Sequence, residues 1–160
     1  MNKSVNQKKI MSIIFVKRHW ANPIAALIRW AIPVSRFKWA RSCHCMVLVD
    51  DNTVIHSTMA SGVVKENLKI AMKKYSIVEK CDFEIFNDRG FKFLENQIGK
   101  PYDFFGALGL SFRPGRNWQE DDRWFCFELA AAALHKSGRK IFKNTGHVTD
   151  AMILSIKTEI

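Results

Sequence analysis

The stretch Trp124–Leu134 most constrains the fold, because it has the marks of a helix along its whole length. It contains a leucine followed by four consecutive alanines, and these residues have high helix propensity. Asp121 and Asp122 precede it and are predicted to cap its amino end. Gly138 follows as the expected stop. The sequence therefore predicts a helix that carries Cys126 in its first turn.

The position of Cys126 suggests a chemical role. The amino end of a helix carries partial positive charge, which favours a thiolate over a thiol. The thiolate is the nucleophilic form, so this residue is a candidate catalytic cysteine. The alternative is a small apolar residue that packs the helix against the core, because cysteine is among the most buried residue types. Cys126 alone does not decide between the two.

Length and charge narrow the class of protein. The chain has 160 residues, which indicates a single domain over residues 1–160 with its core at about 10–152. Its formal net charge of +10 favours anionic surroundings such as cell-wall polymer, membrane lipid or nucleic acid. The basic residues are scattered and form no nucleic-acid motif, so no specific nucleic-acid partner is expected.

The four cysteines and the amino-terminal segment bear on the compartment. Cys43 and Cys45 would share one face of a strand, and no disulfide framework is implied, which is typical of a reducing compartment. Together with His44 and His56 they match no familiar zinc spacing, so no metal or other cofactor is expected. The apolar run 10–16 is too short for a signal peptide or a membrane span, which predicts a cytoplasmic protein.

Periodicity and turn residues predict a mixed α and β architecture. Strands are expected in the apolar and β-branched segments and helices in the capped, amphipathic ones. The predicted elements are a strand at 10–16, a helix opened by Asn22-Pro23, a hairpin of 42–49 and 53–59, a helix at 63–75, a strand at 76–86, a helix from Asp88 to about Ile98 ended by Gly99-Lys100-Pro101, and a short helix begun by Val148-Thr149-Asp150. Arg113–Asp122 is either a lid or an ordinary connection.

The register of the hairpin decides whether its two histidines meet. A two-residue turn at Asp51-Asn52 would leave His44 and His56 on opposite faces. A three-residue loop, with Asn52 in the left-handed conformation, pairs Met46 with His56 and places both histidines diagonally on one face. Their Cβ atoms would then be ~7 Å apart. We predict the second register, because only it explains why two histidines occur here.

These residues compose a thiol-protease-like site. Cys126 is the candidate nucleophile, His44 its base, and His56 the residue that orients the base. An adjacent imidazolium and a helix amino end would both lower the thiol pKa. The backbone N–H of Cys126 is a candidate oxyanion donor.

At this point the chain resembles the circularly permuted papain-fold hydrolases of the NlpC superfamily, with the YiiX/YebB-like proteins nearest and the lecithin–retinol acyltransferase-like enzymes as cousins. In this family the histidine strand precedes the cysteine helix. The resemblance rests on motifs in a shared order: Ser42-Cys43-His44-Cys45-Met46-Val47, His56 twelve residues after His44, Gly62-Val63, Gly99-Lys100-Pro101-Tyr102-Asp103-Phe104, Trp124-Phe125-Cys126-Phe127-Glu128-Leu129 and Val148-Thr149-Asp150. It spans roughly residues 10 to 152.

The resemblance implies an α+β, permuted papain-like fold in which an antiparallel sheet packs against helices. It also implies a cysteine hydrolase with a Cys126–His44–His56 triad that cleaves or transfers an acyl group from an amide or ester. Tyr102 and Phe125 are then expected to contribute to substrate or oxyanion binding. Two positions depart from the family pattern: Phe127 stands where a serine is expected, and Asp150 where a proline is expected.

Three functions remain open on the sequence. The first is a peptidase or cell-wall amidase, which suits a basic surface. The second is a lipid or thioester acyl hydrolase or acyltransferase. The third is a non-catalytic binding module on the same fold, against which the complete Cys/His/His set argues. The sequence does not select the natural substrate, hydrolysis over transfer, or the oligomeric state.

Overall fold

A five-stranded sheet with helices against it organises the described part of the chain. The computed structural model describes residues 9–18, 42–104, 122–140, 142 and 148–156. The elements in these segments are β1 (Lys9–Arg18), β2 (His44–Asp50), β3 (Thr53–Thr58), β4 (Gly62–Asn67), α1 (Leu68–Ala71), β5 (Tyr75–Ile85), α2 (Arg89–Gln97), α3 (Cys126–Lys136) and α4 (Asp150–Ser155). The helix predicted after Asn22-Pro23 lies outside the described residues, as does the Arg113–Asp122 segment except for Asp122.

The sheet has strand order β4-β3-β2-β1-β5, and every neighbouring pair is antiparallel. Alternate residues of β1 point to opposite faces, as the strand period of two requires. Met11, Ile13 and Phe15 join the main core, which also contains side chains of α2, α3 and α4. Ile14 and Val16 belong to a smaller cluster on the other side. The expected α+β class, with an antiparallel sheet packed against helices, is confirmed.

The predicted register of the β2–β3 hairpin is confirmed, although its turn differs from the prediction. Val47 pairs with Ile55, and continuing this register sets Met46 opposite His56. No non-glycine residue of the described segments has a positive φ, so the predicted left-handed conformation of Asn52 was wrong. Instead Asp51 and Asn52 form a tight turn, and an irregularity between Leu48 and Asp50 shifts the register by one residue.

The helix predicted at 63–75 is wrong. Gly62–Asn67 is strand β4, which pairs with β3 along its whole length: Gly62 lies opposite Thr58, and Asn67 lies opposite Thr53. Only Leu68–Ala71 is helical. Val63 and Val64 are β-branched and suit a strand that completes a hairpin. Asn67 then starts the short helix by accepting a hydrogen bond from the Lys69 backbone N–H at 2.9 Å.

The helix predicted from Asp88 is confirmed as α2, but Asp88 does not cap it with its side chain. The Asn87 side chain accepts the Arg89 backbone N–H at 2.9 Å instead. The Asp88 carboxylate forms an ion pair with Lys9 of β1. The chain leaves α2 through Gly99, whose φ is +87°. The predicted break at Gly99-Lys100-Pro101 is therefore confirmed.

The α3 helix begins later than expected, and its capping residue is not an aspartate. Its first residue is Cys126, and the capping position belongs to Phe125, which makes no side-chain cap hydrogen bond. Asp122 is exposed and lies 3.8 Å from the Lys100 ammonium, so the predicted Asp122 cap was wrong. Asp121 lies outside the described residues. The predicted end is confirmed, since Gly138 has a φ of +93° just beyond the helix. Among the residues described, no helix is long and apolar enough to cross a membrane.

Candidate active site

Backbone and side-chain hydrogen bonds anchor the residues that lead into α3. The Trp124 N–H donates to the Pro101 carbonyl at 3.1 Å, and the Trp124 carbonyl accepts the Ser57 hydroxyl at 2.5 Å. The Trp124 indole N–H donates to Gln97 Oε1 at 3.0 Å. Trp124 is thus fixed to β3, to the end of α2 and to the turn after it. These anchors set the position of Cys126 two residues later.

Cys126 is the first residue of α3 and is only 5% exposed. Burial by itself would raise the pKa of its thiol. A hydrogen bond with the Cys45 thiol, the charge and hydrogen bond of His44, and the Cys45 backbone N–H act in the opposite direction and outweigh it. The pKa of Cys126 is therefore well below its usual value, which favours the thiolate over the thiol.

The two histidines of the hairpin are in direct contact. Nε2 of His44 lies 2.6 Å from Nδ1 of His56, and both rings are buried. The Tyr75 ring stacks on His44, with centroids 5.2 Å apart and planes 21° apart. Because Nε2 is occupied by His56, Nδ1 is the ring nitrogen of His44 left for Cys126. The structure thus brings together the three residues predicted for the triad.

A fourth residue, Glu66, was missed in the sequence. Its Oε1 lies 2.7 Å from Nε2 of His56, on the side of the ring away from His44. Within the segment interpreted as a helix, Glu66 was one surface charge among several. Pairing of β4 with β3 would have identified it. This pairing sets Val64 opposite His56 and Glu66 opposite Val54, so Glu66 is a diagonal neighbour of His56 on the same face.

His56 is held neutral in spite of its contact with Glu66. Burial, followed by the charges of His44 and Lys74, lowers the pKa of His56 to about 3. The physical reason is that burial penalises the charged form of the ring, and the positive charges of His44 and Lys74 add to this penalty. Neutral His56 has one N–H to share between two neighbours.

The lowered pKa of His56 predicts a loss of stability in acid. Between pH 6.5 and about 3, the unfolded chain binds a proton at this position that the folded chain does not. The contribution of His56 to the free energy of unfolding therefore has its full value above pH 6.5 and decreases as the pH is lowered through that window. Urea unfolding of the wild type and of His56→Asn, measured from pH 7.5 to 4, is expected to give a difference that shrinks toward acid. A difference that is constant with pH would contradict the assignment of a neutral His56.

The two residues predicted to help bind substrate or the oxyanion lie beside the cysteine. Burial, followed by the negative charges of Cys126 and Asp103, raises the pKa of Tyr102, so its phenol stays protonated and can donate a hydrogen bond. Phe125 is 3% exposed, and its ring packs edge-on against Phe127, with ring centroids 6.4 Å apart. Its ring is therefore part of the core, and its contribution to substrate or oxyanion binding stays a prediction.

The candidate nucleophile Cys126 is a free cysteine. In the described segments, no three histidine, cysteine or acidic side chains are grouped as metal ligands. The four cysteines, all of them in those segments, form no disulfide.

No known protein family, curated protein or solved structure matches this chain.

Proposed function

We propose that this protein is a cysteine-dependent hydrolase that cleaves an amide or ester bond through an acyl-thioester on Cys126. The observation that carries the proposal is the arrangement of Cys126, His44 and His56. A thiol with a depressed pKa stands at the first position of a helix and bonds a histidine that a second histidine holds in place.

The first half of the reaction transfers the acyl group to sulfur. The Cys126 thiolate attacks the carbonyl carbon, and the resulting oxyanion is met by the Cys126 backbone N–H. At the start of a helix this N–H has no acceptor within the helix. Protonated His44 then donates its Nδ1 proton to the leaving amine or alkoxide as the carbon–heteroatom bond breaks.

The second half of the reaction releases the acyl group. Neutral His44 takes a proton from water through Nδ1, and the hydroxide attacks the thioester carbonyl. The carbon–sulfur bond breaks, and Cys126 returns as the thiolate beside protonated His44. Another nucleophile in place of water would make the same site an acyltransferase.

The chain order of the site supports a permuted papain-like fold. The strand that carries the base comes before the helix that carries the nucleophile, as in the NlpC-type proteins that the motifs resemble. The formal net charge of +10 favours an anionic substrate, which makes a peptide or cell-wall amide the first class to test. A lipid ester or thioester is the alternative within the same chemistry.

Trapping of the acyl-enzyme tests this proposal. The wild type is incubated with muropeptides, peptide amides, phospholipid esters and acyl thioesters, quenched in acid and digested for mass spectrometry. An acyl group on the peptide that contains Cys126 is expected with one of these classes, and none on Cys43, Cys45 or Cys81. Binding of a substrate with neither acylation nor turnover would show a binding module and overturn the proposal.

A further inference from the structure

We infer that Glu66 is a positioning residue of this site: through His56 it fixes the proton arrangement that presents Nδ1 of His44 to Cys126. The inference rests on the proposed function and goes beyond it, because it extends the Cys126–His44–His56 triad to a fourth residue on a different strand. Glu66 touches neither the sulfur nor the reacting carbonyl, so its effect on the chemistry passes entirely through the two histidines.

The first step is the contact between Glu66 and His56. A carboxylate can only accept hydrogen bonds. Oε1 of Glu66 lies 2.7 Å from Nε2 of His56, so this ring nitrogen is the donor. The Glu66 side chain is 19% exposed, and Lys74 Nζ lies 3.9 Å from its other oxygen, which places a positive charge beside the carboxylate.

The second step passes from His56 to His44. A neutral imidazole that donates through Nε2 must accept through Nδ1. Nδ1 of His56 lies 2.6 Å from Nε2 of His44, so His44 is the donor of that bond. The proton of neutral His44 is therefore on Nε2, and its Nδ1 lone pair faces the cysteine.

The third step explains what Glu66 adds. Without a carboxylate at Nε2, His56 can carry its single proton on Nδ1 instead, where it would point at His44. His44 would then have to accept through Nε2 and hold its own proton on Nδ1, which removes the base that Cys126 requires. When His44 is protonated, its Nε2–H would also lose its acceptor, because the Nδ1–H of His56 would point at it. The thiolate–imidazolium pair is weakened in both cases.

Among the described residues, the charged and titratable neighbours of the two histidines come from different elements. They are Cys126 of α3, Glu66 of β4, Lys74 of the turn after α1 and Tyr75 of β5. Of these, Glu66 is the one that supplies an acceptor for Nε2 of His56. Its removal is therefore expected to act on the proton arrangement and leave the heavy-atom packing of the rings in place.

The test compares Glu66→Ala, Glu66→Gln and the control Glu95→Ala with the wild type. Glu95 is a matched control because its carboxylate forms an exposed ion pair with Lys65 at 3.2 Å, away from the histidines. The rate of iodoacetamide alkylation is followed from pH 4 to 9 and mapped to the peptide that contains Cys126. Long-range ¹H–¹⁵N correlation of the histidine rings reads the tautomer of His56 in the same samples.

Glu66→Ala is expected to lower the alkylation rate at pH 6 by ~10-fold, through a rise in the apparent thiol pKa, and to put a proton on Nδ1 of His56 in part of the molecules. Glu66→Gln keeps an acceptor oxygen and is expected to stay within ~3-fold of the wild type. Glu95→Ala should match the wild type.

Each contrary outcome has a separate meaning. An alanine variant with wild-type alkylation and an Nε2–H His56 would overturn the role of Glu66. An ordinary thiol profile in the wild type itself would instead overturn the proposed function. If Glu66→Ala does not fold, Glu66→Lys is compared with Glu66→Gln instead. Lysine offers no acceptor, so Glu66→Lys must then show the alkylation rate and the His56 tautomer predicted for the alanine variant.

Discussion

Replacing Cys126 or His44 with alanine is expected to lower turnover of the acylating substrate by at least ~10³-fold in each case, and the double variant should be no slower than either single variant. The reason is that the two residues act as one unit. The thiol reaches its depressed pKa partly through the charge and hydrogen bond of His44, and without the thiol there is no acyl-thioester for His44 to act on.

The measurement is kcat/KM for the three variants on one substrate, with His135→Ala as the control. His135 is a half-buried histidine in the last turn of α3, so it tests the cost of losing an imidazole elsewhere on the same helix. Independent losses that multiply in the double variant would show that the cysteine and the histidine are not coupled. That result would remove the basis for a thiolate–imidazolium nucleophile.

Replacing Gly62 with alanine is expected to destabilise the protein by about 3–5 kcal/mol, the sum of backbone strain and overpacking. Gly62 has a φ of +64°, which a side chain disfavours, and an added Cβ would lie 2.1 Å from the Lys100 carbonyl oxygen. That carbonyl accepts the Val63 N–H at 2.8 Å, while the Gly99 N–H donates back to the Val63 carbonyl at 2.9 Å. The start of β4 and the turn after α2 are therefore in direct backbone contact.

Gly99→Ala is the matched control for this prediction. Gly99 has a φ of +87°, but an added Cβ there meets nothing within 4 Å. It should therefore cost only the backbone strain, about 1–2 kcal/mol. Thermal unfolding of the two variants is expected to differ by ~5 °C or more in Tm. Equal Tm values would mean that the Lys100 turn moves aside without cost, and that it does not fix the position of the site.

Local patterns in the sequence predicted most of the elements, and pairing between strands accounts for the main error. The strands β1, β2, β3 and β5 carry apolar and β-branched runs that are informative by themselves. Strand β4 does not: after Val64 it reads Lys65-Glu66-Asn67, which fits the polar face of a helix equally well. Its identity is decided by the backbone hydrogen bonds of β3, and no local propensity contains that information.

The candidate site divides in the same way. Cys126, His44 and His56 were predicted from residue type, helix position and hairpin register, and the structure brings their side chains together. Glu66 depends on the register of a strand that the sequence did not reveal. The predicted Asp122 cap of α3 failed for a related reason. Trp124 is held by backbone groups that are distant in sequence, and the helix starts only after these hydrogen bonds, at Cys126.

The anchoring of Trp124 has a consequence for when the proposed site is assembled. His44 and Cys126 belong to opposite parts of the chain, and contacts between residues so distant in sequence form late in folding. During synthesis the strand with the histidine emerges long before the helix with the cysteine. In the proposed function, the lowered pKa of the Cys126 thiol therefore depends on docking of α3 against the strand that carries His44. A chain that has not yet docked this helix has the thiol without its base.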